Sequence, residues 1–305
     1  MKKIFAFFSI CLLPVACCLL PMELFAGQIK VVVSIHPLAD ITKQIGRQRV
    51  IVKTLLPPAA SPHTFEPTPK DMMELWDAGI FVKIGAGLEF WAEKMVQAVS
   101  NRKLIVLDLS KDMPLIYSAH EHNHERDHSA GKIGRQADPH YWLDPVLVKN
   151  MADRIAGSLT RIDPAGGDFY KANAEAYKKE LDFLNQEIKR KADRFMTKEY
   201  VTFHRAWDYF SKRYGLRVAG VIEESPGREP TPKDIAHIIS ELKRFRAKVV
   251  FAEPQFNPRI AEAVAKEAGA RVLFLDPIGS PNAPDRDTYI KIMQYNISQM
   301  ERAMR

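Results

Sequence analysis

The chain has 305 residues, of which 46% are hydrophobic and 27% charged, an ordinary globular balance that rules out a wholly disordered or collagenous chain and leaves room for one large domain or two. The formal net charge is +7. Nucleic-acid binding is one use of such an excess, but the N-terminus points to export and so to a solvated basic face, or to attraction toward an anionic membrane surface.

Residues 1–26 stand apart. Lys2 and Lys3 precede an apolar run that ends in Leu24-Phe25-Ala26, the pattern of a secretory signal peptide cut after a small residue near Ala26. A membrane anchor is the rival, disfavoured by the short run and by Pro14. A lipid on Cys17 is disfavoured because Pro14 fits a lipobox poorly. Cleavage removes all three cysteines, Cys11, Cys17 and Cys18, so the exported chain has no disulfide and any metal site must use nitrogen and oxygen donors. It also lowers the charge to about +6.

Beyond the signal, apolar strand-like runs at 30–35, 50–56, 80–84 and 104–109 alternate with helical stretches such as 69–78 and 89–99. The second half repeats the alternation, with runs at 201–203, 218–222, 249–252 and 272–275. Alternation of this kind predicts α/β architecture with parallel sheets covered by helices. An internal echo predicts two like lobes. Glu66-Pro67-Thr68-Pro69-Lys70-Asp71 recurs as Glu229-Pro230-Thr231-Pro232-Lys233-Asp234. Each copy carries the signals of a helix start, with Thr as N-cap, Pro in the first turn and an acid at the positive end. Leu143-Asp144-Pro145 and Leu275-Asp276-Pro277 form a second echo. Between the halves, Tyr177, Leu181, Leu184, Ile188, Ala192 and Phe195 fall on one helical face in a proline-free stretch, which predicts a long rigid helix bracing both lobes. The expected organisation is a first lobe over 27–165 with a polar His-rich loop at 110–138, a linking helix over 166–196 and a second lobe over 197–305.

His63, His140, His204 and Asp276 follow or close separate strand-like runs, about 60 to 80 residues apart. Only a fold that gathers strand ends at one cleft brings them together, and open α/β sheets bind ligands outside the carboxyl ends of their strands. Three imidazoles and one carboxylate make a tetrahedral zinc set. Taken singly, each has a blander reading: His63 as a surface histidine, His140 as a buried structural one, His204 as a helix cap and Asp276 as a strand-end aspartate. Glu66 and Glu253 are candidates for supporting acids around the ligands. Asp144 reads as a helix cap. His120, His122, His124 and His128 crowd one polar stretch, and such tracts collect metal weakly by composition.

The motifs PHTFEPTPKD around His63, DPHYWLDP around His140, TFHRAWDYFSKRYGL around His204, VVFAEPQ at Glu253 and LFLDPIG around Asp276 resemble the substrate-binding proteins of zinc-uptake ABC transporters, in the zinc/manganese (cluster A-I) group. The resemblance covers nearly all of the chain past the signal. It implies two Rossmann-like lobes joined by a rigid helix, with the metal in the cleft between them and held at His63, His140, His204 and Asp276. It implies a periplasmic, monomeric, non-enzymatic protein that hands zinc to a membrane permease and its ATPase. Manganese-binding members usually have glutamate at the third position; here it is His204, and a nitrogen donor suits zinc better. Ser61 departs from the Asp, Glu or glycine-rich turn that often precedes Pro-His. The alternatives are a manganese or iron carrier of the same class and a surface metal-binding adhesin. A zinc hydrolase is the enzymatic rival, but the chain has no His-Glu-x-x-His motif and four protein ligands leave no open coordination position.

Overall fold

The computed structural model describes residues 27–118, 136–223, 227, 230–244 and 247–305. The expected signal peptide and the four histidines of the polar stretch lie outside the described residues.

In the first half, β1 (Ile29–Val33), β2 (Val50–Thr54), β3 (Ile80–Lys83) and β4 (Ile105–Asp108) form a parallel sheet in the order β2-β1-β3-β4. Helices α1 (His36–Gly46), α2 (Pro69–Trp76) and α3 (Ala92–Val99) connect these strands. A short hairpin, β5 (Tyr117–Ser118) with β6 (Gln136–Ala137), closes the neck of the polar stretch. A 3-10 turn over His140–Leu143 then leads into α4 (Pro145–Ile162), whose N-cap is Asp144. The expected linking helix is α5 (Gly167–Asp193), about 40 Å long at 1.5 Å per residue.

The second half holds β7 (Glu199–His204), β8 (Arg217–Glu223), β9 (Val249–Ala252) and β10 (Arg271–Phe274), again parallel, in the order β10-β9-β7-β8. It also holds α6 (Asp208–Tyr214), α7 (Pro232–Arg244), α8 (Arg259–Ala268) and α9 (Tyr289–Met304). Read from the other edge, this sheet has the same connectivity as the first: its opening strand is central, flanked by its second and third, with the fourth outermost. The repeated hexapeptide opens the equivalent helix in each half. Thr68 and Asp71 form a capping box on α2, and Thr231 and Asp234 exchange the same bonds on α7.

Side chains alternate between sheet faces with period two, and each sheet uses that alternation to face two different cores. In β1, Val31 and Val33 point into a core shared by both halves, whereas Val32 joins a cluster with Leu75, Phe81 and Trp91. In β9, Val249 and Phe251 face the shared core, while Val250 and Ala252 join Val201, Phe203 and Val264. The helix α5 supplies Tyr177, Leu181, Leu184, Ile188 and Ala192 to the shared core, all buried. That is the face its sequence periodicity marks. The two sheets therefore rest on one continuous apolar body, and no hinge-like glycine-serine run separates them.

Candidate metal centre

Both sheets present the carboxyl ends of their strands to one cleft. After β2 the chain enters a loop stiffened by Pro57, Pro58 and Pro62, and this loop carries His63. His204 is the last residue of β7, and Glu253 directly follows β9. His140 opens the 3-10 turn and is held by Asp138 just before it, while Asp144 beyond the turn caps α4.

Three imidazoles converge. The Nε2 of His63 lies 3.0 Å from that of His140, and the Nε2 of His204 lies 3.3 Å from that of His140. One ligand atom from each ring falls within 4.8 Å of the others. They border a narrow pocket that is also lined by Trp142, Gln255, Phe256, Pro277 and Ile278. His140 and His204 are buried.

Two of the rings are anchored from behind. The Nδ1 of His140 is 2.7 Å from Asp138 Oδ1, which also accepts the His140 backbone N–H at 2.9 Å. The Nδ1 of His204 is 2.6 Å from Glu253 Oε1. A carboxylate on Nδ1 selects the tautomer with its proton there and leaves the Nε2 lone pair facing the cavity. Phe256 and Trp142 pack against His204 and His140, with ring centroids 5.2 Å away in each case. Burial, then the nearness of His140 and His204, pulls His63 down to about 2. Burial, then His204, holds His140 well below the usual histidine range. Both rings are thus neutral at ordinary pH, which is the state that binds a cation. Burial pushes the Asp138 carboxyl up to about 7.

Asp276 is not drawn into the group of three. It is buried two residues past β10, beside Pro277 and Ile278 of the pocket wall. Its Oδ1 accepts from Gln255 Nε2 at 2.9 Å and from the backbone N–H of Ile278 and Gly279 at 3.1 and 2.8 Å. Its Oδ2 lies 3.4 Å from Arg286 Nε. Glu66 is exposed and outside the cavity lining, because its loop has already turned toward the cap of α2. Asp138 is the residue that sequence reading passed over. Its signal is the carboxylate two places before a histidine, a spacing that lets one oxygen reach both the backbone and the ring.

The family model described as "ZnuA: Zinc-uptake complex component A periplasmic" matches residues 31–303. This chain belongs to that family. Among its relatives, the high-affinity zinc uptake system protein ZnuA of Bacillus subtilis (strain 168) is 28% identical over 277 residues, covering 90% of this chain and 87% of that protein. The zinc-binding lipoprotein AdcA of Streptococcus pneumoniae is 26% identical over 278 residues, 90% of this chain but 56% of AdcA, so the chain spans only about half of that longer relative. A crystal structure of ZnuA superposes with a TM-score of 0.80 at 31% identity, covering 91% of this chain and all of that one. A zinc-bound mutant variant of AdcAII from Streptococcus pneumoniae superposes at 0.79 with 28% identity, covering 91% of this chain and 99% of that one. The family is a periplasmic transport component, not an enzyme family. Among the described residues no helix is long and apolar enough to cross a membrane.

Proposed function

We propose that this chain captures one zinc ion between its lobes through the Nε2 atoms of His63, His140 and His204, and delivers it to an ABC permease. The observation that carries the reading is the convergence of three imidazoles from both halves on one small pocket. Zinc takes imidazole nitrogen and carboxylate oxygen in tetrahedral sites. Asp276 completes the set in this proposal. Its Oδ2 turns from Arg286 toward the ion, and a single carboxylate lowers the charge of the zinc and its three imidazoles from about +2 to about +1. Asp138 and Glu253, behind His140 and His204, offset the remainder. The ion is cargo and undergoes no chemistry.

An exported, monomeric chain carrying the signal peptide 1–26 fits this role, and its partners are the permease and the ATPase that drives it. The histidines of the polar stretch would gather zinc near the site. Because the lobes share one apolar core, release follows from small rearrangements at the cleft rather than from wide lobe rotation. Metal analysis of the purified protein tests the reading. The parent chain is expected to hold one zinc and His204→Ala none, and tight zinc binding retained by His204→Ala would refute the ligand assignment.

A further inference from the structure

The hydroxyl of Tyr209 sits where three parts of the molecule meet. Tyr209 lies on α6, five residues after His204, and is buried. Its oxygen accepts the backbone N–H of Ile116 at 2.8 Å and donates to the backbone carbonyl of Asp138 at 2.9 Å. Ile116 and Asp138 stand at the two sides of the hairpin neck and are themselves joined, Asp138 N–H to Ile116 carbonyl, at 2.8 Å. The carboxylate of that same Asp138 holds the ring and the backbone of His140. One phenol thus ties the helix that follows His204 to the segment that aims His140. His63 receives no such tie from its own loop among the described contacts.

We infer that Tyr209 is a positioning residue that fixes the His140–His204 pair as a unit, by pinning Asp138 from the opposite lobe. The inference rests on the zinc-binding reading given above. Removing the hydroxyl leaves a part-buried N–H and a buried carbonyl each short of a partner. The Asp138 segment relaxes, and His140 loses its fixed direction while remaining a ligand. Residues that orient ligands from behind typically change affinity 10- to 100-fold, and one that acts through another belongs at the lower end. A second contact on the same helix provides the control. Arg213 Nε donates to both oxygens of Asp144, at 3.0 and 2.8 Å. It joins the same two lobes but touches neither Asp138 nor a histidine.

Zinc transfer from the full chain to excess chromophoric chelator reads the effect. Tyr209→Phe is expected to keep one zinc per chain and to release it about tenfold faster. Arg213→Gln is expected to lose thermal stability but release zinc at the parent rate. Cobalt in place of zinc should give a shifted visible spectrum in Tyr209→Phe alone. Coupling is reciprocal, so amide exchange of the Ile116 segment in the parent should slow when zinc binds, a readout that needs no variant to fold. Parent-like release from Tyr209→Phe, equal acceleration in both variants, or Ile116 exchange indifferent to zinc would each overturn the inference. A parent chain that binds no zinc would instead remove the reading beneath it.

Discussion

The two lobes have the same strand order and the same capped helix, yet they furnish the cleft from different addresses. The first lobe gives a histidine from the loop after its second strand, His63, whereas the second gives one from the end of its first strand, His204. The first lobe also has a histidine beyond its opening strand, His36, the first residue of α1. Its Nε2 is spent on the carbonyl of Asp287 at 3.0 Å, and burial lowers its pKa against the raising effect of that bond. A repeated scaffold therefore places a histidine near the end of each opening strand, but the partner behind each ring decides which histidine faces the cleft. Glu253 turns His204 toward the cleft; Asp287 ties His36 to the N-terminus of α9, where Asp40 also accepts from Tyr289 N–H at 2.8 Å.

The largest effect is expected from removing His204 and His36 in turn. His204→Ala should abolish stoichiometric zinc, while His36→Ala should retain one zinc per chain in the same metal analysis; loss in both would mean the lobes are not divided as described. Next in size are the anchoring acids. Glu253→Gln and Asp138→Asn should each keep the stoichiometry and weaken zinc by about 10- to 100-fold, measured by chelator competition. Unchanged affinity would make those carboxylates bystanders.

Acidification sharpens the contrast between buried imidazoles and the buried carboxyl. His63 and His140 stay neutral in the fold but titrate near 6.5 when unfolded. Below that pH the unfolded chain binds more protons, so the zinc-free protein loses stability as pH falls. Asp138, raised from 3.8 to about 7, acts in the opposite sense, as do Asp40 and Glu89, whose carboxyls burial also raises, so the imidazole contribution is read as a difference between parent and variant. Between about pH 6.5 and about pH 4.5 the denaturation midpoint of the zinc-free parent should fall relative to that of His63→Ala. The smallest effect tests the repeat itself: Thr68→Ala and Thr231→Ala remove equivalent caps and should each cost about 1 kcal/mol, read from chemical denaturation, with zinc stoichiometry intact.

Much of this was legible in the chain. β-branched runs marked the strands, the periodicity of Tyr177 to Ala192 marked the buried face of α5, and Thr-Pro-Lys-Asp marked two helix starts, because these are local signals. Where the structure departs from expectation, the cause is a contact between distant or competing groups. The third helix starts at Ala92 rather than near 89 because the Glu89 carboxylate is taken by the N–H groups of Ile84 and Gly85. The preceding turn runs through positive φ at Gly85, Ala86 and Gly87. β7 extends to both sides of 201–203 because its pairing with β8 carries it from Glu199 to His204. Asp276 reads as a ligand by its place at a strand end; in the structure its Oδ1 is held by a tight Asp-Pro-Ile-Gly turn and by Gln255, contacts that strand patterning does not show, and the role proposed above falls to its Oδ2. Tyr209 was hidden for the same reason, since nothing in a helical tyrosine announces a bond to a hairpin in the other lobe.

The central claim, that imidazoles from both lobes close on a single ion, is tested most directly by anomalous diffraction at the zinc edge from crystals of the zinc-loaded chain. One zinc is expected in the cleft, about 2.0–2.1 Å from the Nε2 atoms of His63, His140 and His204. A zinc bound elsewhere, or one in the cleft that leaves any of these three rings uncoordinated, would contradict it.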